Sequence, residues 1–290
     1  MHISLIFTTY NSPNWLQKVL WGILEQQHTD FEVIIGDDGS TDETRQLIES
    51  FQPEFAERLI PLCHVWQKDE GFRKCRILNK AILHARSDYL VFTDGDCILR
   101  PDFIATHAKR ATEGRYLSGS YYKLPMSTSE SITREDITSG RCFDRRWLRQ
   151  HGLPANANRT KLNQNAVLAA VLNHTTPTRC RFKGANASAW RQDVLDVGGF
   201  DERMVWGGLD RELGVRLKNA GIRPLHVRYD AVCVHLDHSR GYKDPDKVAY
   251  NKQLRQNVER SNITKTDFGI NQLVSSGYQP FLDRSDTVVD

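Results

Sequence analysis

Between residues 3 and 96 the chain repeats one unit: a short run of β-forming residues, a polar exit, then apolar residues at helical spacing. No other feature narrows the choice of fold as much. Residues 3–7 lead into Thr8-Thr9-Tyr10-Asn11 and, after Ser12-Pro13, into Leu16, Val19, Leu20, Ile23 and Leu24. Residues 31–35 end in Gly36-Asp37-Asp38-Gly39-Ser40, where Ser40 and Glu43 read as a capping box before a helix with Leu47, Ile48 and Phe51. Residues 59–66 read as a third strand, followed by a helix with Ile77, Leu78, Ala81, Ile82 and Ala85 facing inward. A fourth strand at 89–93 then ends in Asp94-Gly95-Asp96. This alternation predicts an α/β fold: a mostly parallel central sheet flanked by helices and joined by right-handed crossovers. Ligands of such folds bind where the strands end, so the polar exits are expected to line one cleft.

At 290 residues the chain can form one main domain with a large core, and its formal net charge of +3 is too small to imply nucleic acid. Its first residues run straight into a strand without a basic segment and long apolar stretch, and no window approaches a membrane span. The expectation is a cytoplasmic protein, with peripheral contact at the inner face of a membrane left open. Cys63, Cys75, Cys97, Cys142, Cys180 and Cys233 show no C-x-x-C spacing, which favours reduced thiols over a zinc site or disulfide framework.

Beyond Pro101 a helix with Phe103, Ile104 and Ala108 is expected, after which periodicity fades. In the polar stretch 127–181, Arg141, Arg145, Arg146, Arg149, Arg159, Lys161, Arg179 and Arg181 outnumber the acids, and a single helix is legible, near 162–173. Residues 190–197 read as helical. Trp206-Gly207-Gly208-Leu209-Asp210 opens a further helix with Leu213, Val215, Leu217 and Ala220, and a strand at 227–234 delivers His235 and His238. The expected organisation is a unit of residues 1–243 and a C-terminal helical tail of 244–290 with a helix near 248–259. The unit divides into two halves, 1–115 and 116–243, the second including the polar stretch 127–181. Asp94 and Asp96, two acids at i, i+2 on a strand end, suit a divalent cation bridging a diphosphate, and oxygen ligands favour Mn2+ or Mg2+ over zinc.

The ordered set Thr8-Thr9-Tyr10-Asn11, Gly36-Asp37-Asp38-Gly39-Ser40, Asp94-Gly95-Asp96 and Trp206-Gly207-Gly208-Leu209-Asp210 resembles the family 2 glycosyltransferases of the GT-A fold. It looks closest to those whose C-terminal portion is similar to galactosyltransferases, as in bacterial chondroitin and related surface-glycan synthases. The resemblance covers residues 1–242, leaving the middle insertion and the tail outside it. It implies an inverting, metal-dependent enzyme that moves a sugar from a UDP-sugar to a hydroxyl of a glycan or glycolipid acceptor. It also implies nucleotide binding by the first half, 1–115, and acceptor binding by the second, 116–243. Bacterial surface polysaccharide or lipopolysaccharide synthesis is the implied setting; oligomeric state is left open.

Carried over by the resemblance, Thr8, Tyr10 and Asp38 hold the uridine, Asp38 accepting from the uracil imide. Asp94 reaches the ribose or the metal, and Asp96 binds the metal. His235 and His238 have the i, i+3 spacing of the late metal ligands in the galactosyltransferase group, and either or both can serve. Gly184 and Asn186 line the donor-sugar pocket, and Arg73 meets the diphosphate or stays a solvated helix-start cation. Trp206, Gly207 and Gly208 face the acceptor, with Trp206 as a platform for a pyranose ring or a core aromatic. Asp210 is the expected base for the acceptor hydroxyl, against the plainer role of an acid at a helix start. The chain departs from the galactosyltransferase pattern at Leu209, where an acid normally precedes that aspartate. The stretch 127–181 is either a solvated insertion or a basic lid or wall for an anionic glycan. Two other functions compete: a catalytically inactive glycan-binding scaffold, and a sugar-nucleotide nucleotidyltransferase, which would carry a glycine-rich phosphate loop absent from residues 8–13.

Overall fold

The computed structural model describes residues 1–154, 157, 160–162, 165–239 and 244–280; Arg159 of the basic stretch and the end of the tail lie outside them. In the first half the elements are β1 (Ile3–Thr9), α1 (Pro13–Leu24), β2 (Phe31–Asp37), α2 (Asp42–Glu57), β3 (Leu62–Trp66), α3 (Lys74–His84), β4 (Tyr89–Thr93), β5 (Cys97–Leu99) and α4 (Phe103–Arg110). Then come β6 (Arg115–Ser118), β7 (Ser120–Lys123), α5 (Met126–Ser131), α6 (Arg134–Thr138), a 3-10 turn (Arg141–Phe143), α7 (Arg145–Gln150) and α8 (Ala166–Thr175). The chain continues with β8 (Asn186–Trp190), α9 (Arg191–Asp196), α10 (Leu209–Asn219), β9 (Arg223–His226), β10 (Val232–His235), α11 (Pro245–Arg260) and α12 (Ile270–Ser275).

The main sheet has the order β3-β2-β1-β4-β8-β6-β9, and all its pairings are parallel except those of β8, which runs antiparallel to β4 and β6. In register, Thr8 lies opposite Gly36 and Thr9 opposite Asp37, so the first two polar exits emerge level. Because β8 is reversed, its start at Asn186 pairs with Thr93, and the chain before it arrives beside Asp94. A second sheet, β5-β10-β7, pairs His235 with Cys97, which sets His235 next to Asp96 although the two are far apart in sequence.

Apolar faces decide the layers. Leu16, Val19, Leu20, Ile23 and Leu24 of α1 are buried with Ile3, Leu5, Phe7, Val33 and Ile35 on one face of the sheet. Ile77, Leu78, Ala81 and Ile82 of α3 pack with Ile6, Ile34, Leu90 and Phe92 on the other. Each such Leu or Ile contributes about 1.5–3 kcal/mol on burial.

Several expectations are corrected. Leu59 is 86% exposed with φ of 56°, and the third strand begins at Leu62. No capping box forms at Ser40: its hydroxyl accepts from the Asn11 amide and its own amide donates to Asp37, while Thr41 is the N-cap. The late strand is shorter than 227–234, and a separate strand, β9, precedes it. The stretch 127–181 is not merely solvated. Ile132, Ile137, Cys142, Phe143, Leu148 and Leu153 form a third core cluster with Val232 and Val234 of β10, and the Lys18 ammonium donates to the Ser129 and Glu130 carbonyls.

The described part of the tail is built onto the rest: α11 packs along α10 and α12 against α3, where the Tyr278 hydroxyl lies 2.9 Å from His84 Nε2. Among the described residues no helix is long and apolar enough to cross a membrane.

Candidate active site

The strand ends open into a cleft of about 990 Å³. Thr8, Tyr10, Asp38, Asp94, Asp96, Gly184, Trp206, Gly207, Gly208, Asp210, His235 and His238 all line it. Arg73 and Asn186 do not.

At the end of β2, Asp38 is buried and accepts from Gln67 Nε2 at 2.6 Å and from the Arg73 amide at 2.9 Å. Burial dominates these hydrogen bonds and pushes its carboxyl up to about 6. Behind it Asp37 faces His64 Nε2 at 3.1 Å, both buried. Tyr10, half exposed, donates its hydroxyl to Asp69 at 3.0 Å. The Arg73 side chain turns to Glu70, so the contribution of Arg73 is its backbone amide. Its neighbour Lys74 does enter the cleft, and the ammonium donates to Asp94 at 2.7 Å. Burial works against the Lys74 charge, but Asp94, with Asp96 and Asp210 behind it, holds its pKa above the ordinary lysine range.

Gly95, between the two acids, permits the close approach of β1: a Cβ there would stand 2.5 Å from the Thr8 carbonyl oxygen. Asp96 meets His238 Nε2 at 3.1 Å and His235 Nε2 at 3.5 Å. In each imidazole Nδ1 faces a backbone carbonyl of the following residue, Leu236 at 2.6 Å and Ser239 at 2.7 Å. Nε2 of both rings therefore faces the Asp96 carboxylate: a proton on Nε2 joins ring and carboxylate, and where a cation replaces that proton, Nδ1–H on the carbonyl leaves the Nε2 lone pair as its ligand, the orientation typical of metal-ligating histidines. Burial would raise the Asp96 carboxyl, but the hydrogen bond from His238 and the nearby His235 and Lys74 hold it below the ordinary range. Ligand atoms of Asp94, Asp96, Cys97 and His235 lie within 4.8 Å of one another. Burial pushes the Cys97 thiol well up. The cluster's carboxylate and imidazole donors fit Mn2+ or Mg2+.

Asp210, in the first turn of α10, accepts from the Gly184 amide at 3.2 Å and the Arg211 amide at 2.8 Å. Burial nonetheless raises its pKa, with Asp94 adding to the effect. Before it, Gly207 and Gly208 have φ of 107° and 93°, which only glycine adopts readily. The buried Asn251 of α11 holds this loop, donating to the Val205 carbonyl at 2.8 Å and to the Trp206 and Gly207 carbonyls at 3.2 Å. Leu209, where an acid was expected from the resemblance, is a core residue packed with Leu213 and Leu217.

Asn186 belongs to the architecture. It is fully buried, and its amide nitrogen donates to the Ser120 and Ala231 carbonyls at 2.8 Å each, tying the two sheets together. Trp15, Lys74, Lys183, Arg228 and Arg255 line the cleft without having been assigned to it from the sequence, and Lys161, from the stretch read as either solvated or a basic wall, lines it too. For Lys74 and Lys183 the signal is adjacency to residues that were; Arg228 and Arg255 carry none.

Fold and cleft together define an enzyme of sugar transfer. The chain belongs to glycosyl transferase family 2, whose model matches residues 4–171. It is 29% identical over 289 residues to the uncharacterized glycosyltransferase YfnE of Bacillus subtilis, covering 87% of this chain and 69% of that protein. It is 26% identical to the chondroitin synthase of Escherichia coli, covering 76% of this chain but about a third (32%) of the synthase. Among solved structures, S. aureus TarS residues 1–349 in complex with UDP-GlcNAc superposes with a TM-score of 0.59 at 15% identity, covering 94% of this chain and 69% of that one. The fold is GT-A.

Proposed function

We propose that the cleft moves a sugar from a UDP-sugar to a hydroxyl of a glycan or glycolipid acceptor, with inversion at the anomeric carbon, in the building of a bacterial surface polysaccharide or lipopolysaccharide. The observation that carries this is the meeting, in one cleft, of a carboxylate–imidazole cluster at Asp96 and a raised-pKa carboxylate at Asp210. TarS, on the same fold, is bound to UDP-GlcNAc, which supports a UDP-linked donor.

Thr8, Tyr10 and Asp38 take the uridine, with Asp38 as acceptor for the uracil imide. Asp96, His235 and His238 hold Mn2+ or Mg2+, with Asp94 beside them. When bound, the cation supplies charge neutralisation for the departing diphosphate. Lys74, kept charged by Asp94, adds a second positive group on the same side. Asp210 takes the proton of the acceptor hydroxyl. Burial makes it a stronger base than a solvated aspartate, and the Gly184 and Arg211 amides fix its oxygens. Trp206 and the Gly207-Gly208 turn form the acceptor side.

The test is a panel of UDP-sugars assayed for transfer with Mn2+. Asp210→Asn is expected to lower transfer by about 10²–10⁴-fold while UDP binding persists. Full transfer in that variant would contradict the assignment of the base.

A further inference from the structure

Three cations from separate parts of the chain line the cleft: Lys161, Lys183 just before β8, and Arg228 after β9. The Lys161 ammonium donates to the Tyr121 carbonyl at 3.2 Å and the Lys183 ammonium to the Gly119 carbonyl at 3.3 Å. Arg228 meets the Thr178 hydroxyl at 3.4 Å, and its Nε is buried without a hydrogen-bond partner among the described residues. No carboxylate of the described residues forms an ion pair with any of the three. The cleft's acids are engaged elsewhere, Asp94 with Lys74, Asp96 with the histidines and Asp210 with backbone amides.

We propose that Lys161, Lys183 and Arg228 form a subsite for an oxyanion, a carboxylate or phosphate carried by the acceptor sugar, so that the enzyme selects an acidic acceptor. The proposal rests on the function given above. Its geometry follows from chain connectivity: Gly184 holds the Asp210 carboxylate, so Lys183, one residue earlier, lies where the acceptor must bring its hydroxyl. The donor's diphosphate has its own positive partners at Lys74 and the Asp96 cluster, and a neutral acceptor would need none. Part-buried like charges repel, and the strain is visible. Burial first, then Arg228 and Lys161, push the Lys183 ammonium down to about 8, and burial followed by Arg228 lowers Lys161 as well. An anion seated among them relieves that repulsion, with charge-assisted hydrogen bonds from two ammoniums and a guanidinium.

The experiment is calorimetric titration of the full chain, saturated with UDP and Mn2+, with methyl β-glucuronide, glucose 6-phosphate and neutral methyl β-glucoside. Saturation with UDP fills the donor's anion site, so the remaining preference for charge reports the acceptor side. At least one of the anionic sugars is expected to bind about tenfold or more tightly than the glucoside. Whichever anion binds tighter identifies a carboxylate or a phosphate as the group recognised. Lys161→Gln combined with Arg228→Gln is expected to remove the preference while UDP affinity, which also shows that the variant is folded, stays within about twofold. Lys161→Gln alone is expected to lose part of it. Equal binding of charged and neutral sugars by the unaltered chain would overturn the proposal, as would a preference unchanged in the variants. So would weakened UDP binding in the double variant, since that would assign the cations to the donor. Failure of the unaltered chain to bind UDP at all would instead overturn the donor site itself, before any sugar is added.

Discussion

Helix α10 carries a buried ion pair and the turn after β4 a part-buried carboxylate, and the two are treated in opposite ways. Arg216 and Glu212 of α10 are fully buried, and the guanidinium is enclosed: Nε and Nη2 grip both Glu212 oxygens at 2.7 Å, and the remaining contacts reach the Val197 and Gly199 carbonyls. Asp96 lies at the wall of the cleft, approached by two imidazoles whose other nitrogens are occupied by backbone carbonyls. Enclosure by protein partners makes the first pair architecture: it fixes the helix that carries Asp210. Two imidazoles and a carboxylate converging at the wall of a cleft suit the second to a cation.

The largest expected effect lies at the enclosed pair. Arg216→Met strands the Glu212 carboxylate in the core and is expected to cost about 3–5 kcal/mol of unfolding free energy in urea titration, with Glu212→Leu added to it recovering part. A loss below about 1 kcal/mol would mean that the pair is not what holds α10.

Asp38 stands between the two cases, a buried acid with protein donors on both oxygens yet facing the cleft. Its native pKa, raised from 3.8 to about 6 chiefly by burial, means that the folded state holds its proton to higher pH than the unfolded chain. Asp38 therefore costs no stability below about pH 4, and its penalty grows to about 3 kcal/mol as pH rises through 6. Nearby Asp37 adds to the shift, and Gln67 and Arg73 oppose it. The difference in unfolding free energy between the unaltered chain and Asp38→Asn is expected to move against the unaltered chain between pH 4 and pH 6.5. A pH-independent difference would show that Asp38 titrates normally.

How far each of these was legible in the sequence follows from range. The nucleotide side reads well because its evidence is local: strand runs, helical stripes and polar exits sit within a few residues of one another. Even there Ser40 misleads, because the hydroxyl that matches a capping box is used by Asn11, across the loop from β1. In the second half of the chain, α5, α6 and α7 are only five or six residues long, too short for a 3.6 period to declare itself, and core partners of theirs come from β10. Asn186 takes a cleft role by resemblance, but only the packing of the two sheets shows its amide turned to Ser120 and Ala231. Asn251 bonds to residues 44–46 positions away, and nothing near it in the chain announces that.

Asn251 supplies the smallest of the expected effects and a neutral counterpart to the charged pairs. Asn251→Ala leaves the Val205, Trp206 and Gly207 carbonyls without their donor and is expected to cost about 1–3 kcal/mol of stability. Transfer should fall with UDP affinity unchanged, since the loop it holds is proposed to face the acceptor. A parallel fall in UDP affinity would place that loop on the donor side.

The claim on which the rest depends is that His235 and His238 turn their Nε2 atoms to Asp96 in order to hold a divalent cation. Pulsed electron paramagnetic resonance of Mn2+ bound to the full chain with UDP tests it directly, because imidazole nitrogen coordinated to manganese modulates the spin echo. Nitrogen modulation that is reduced in His238→Ala and abolished when His235→Ala is added is the predicted result. A manganese signal without nitrogen coupling in the unaltered chain, or coupling that survives loss of both histidines, would contradict it.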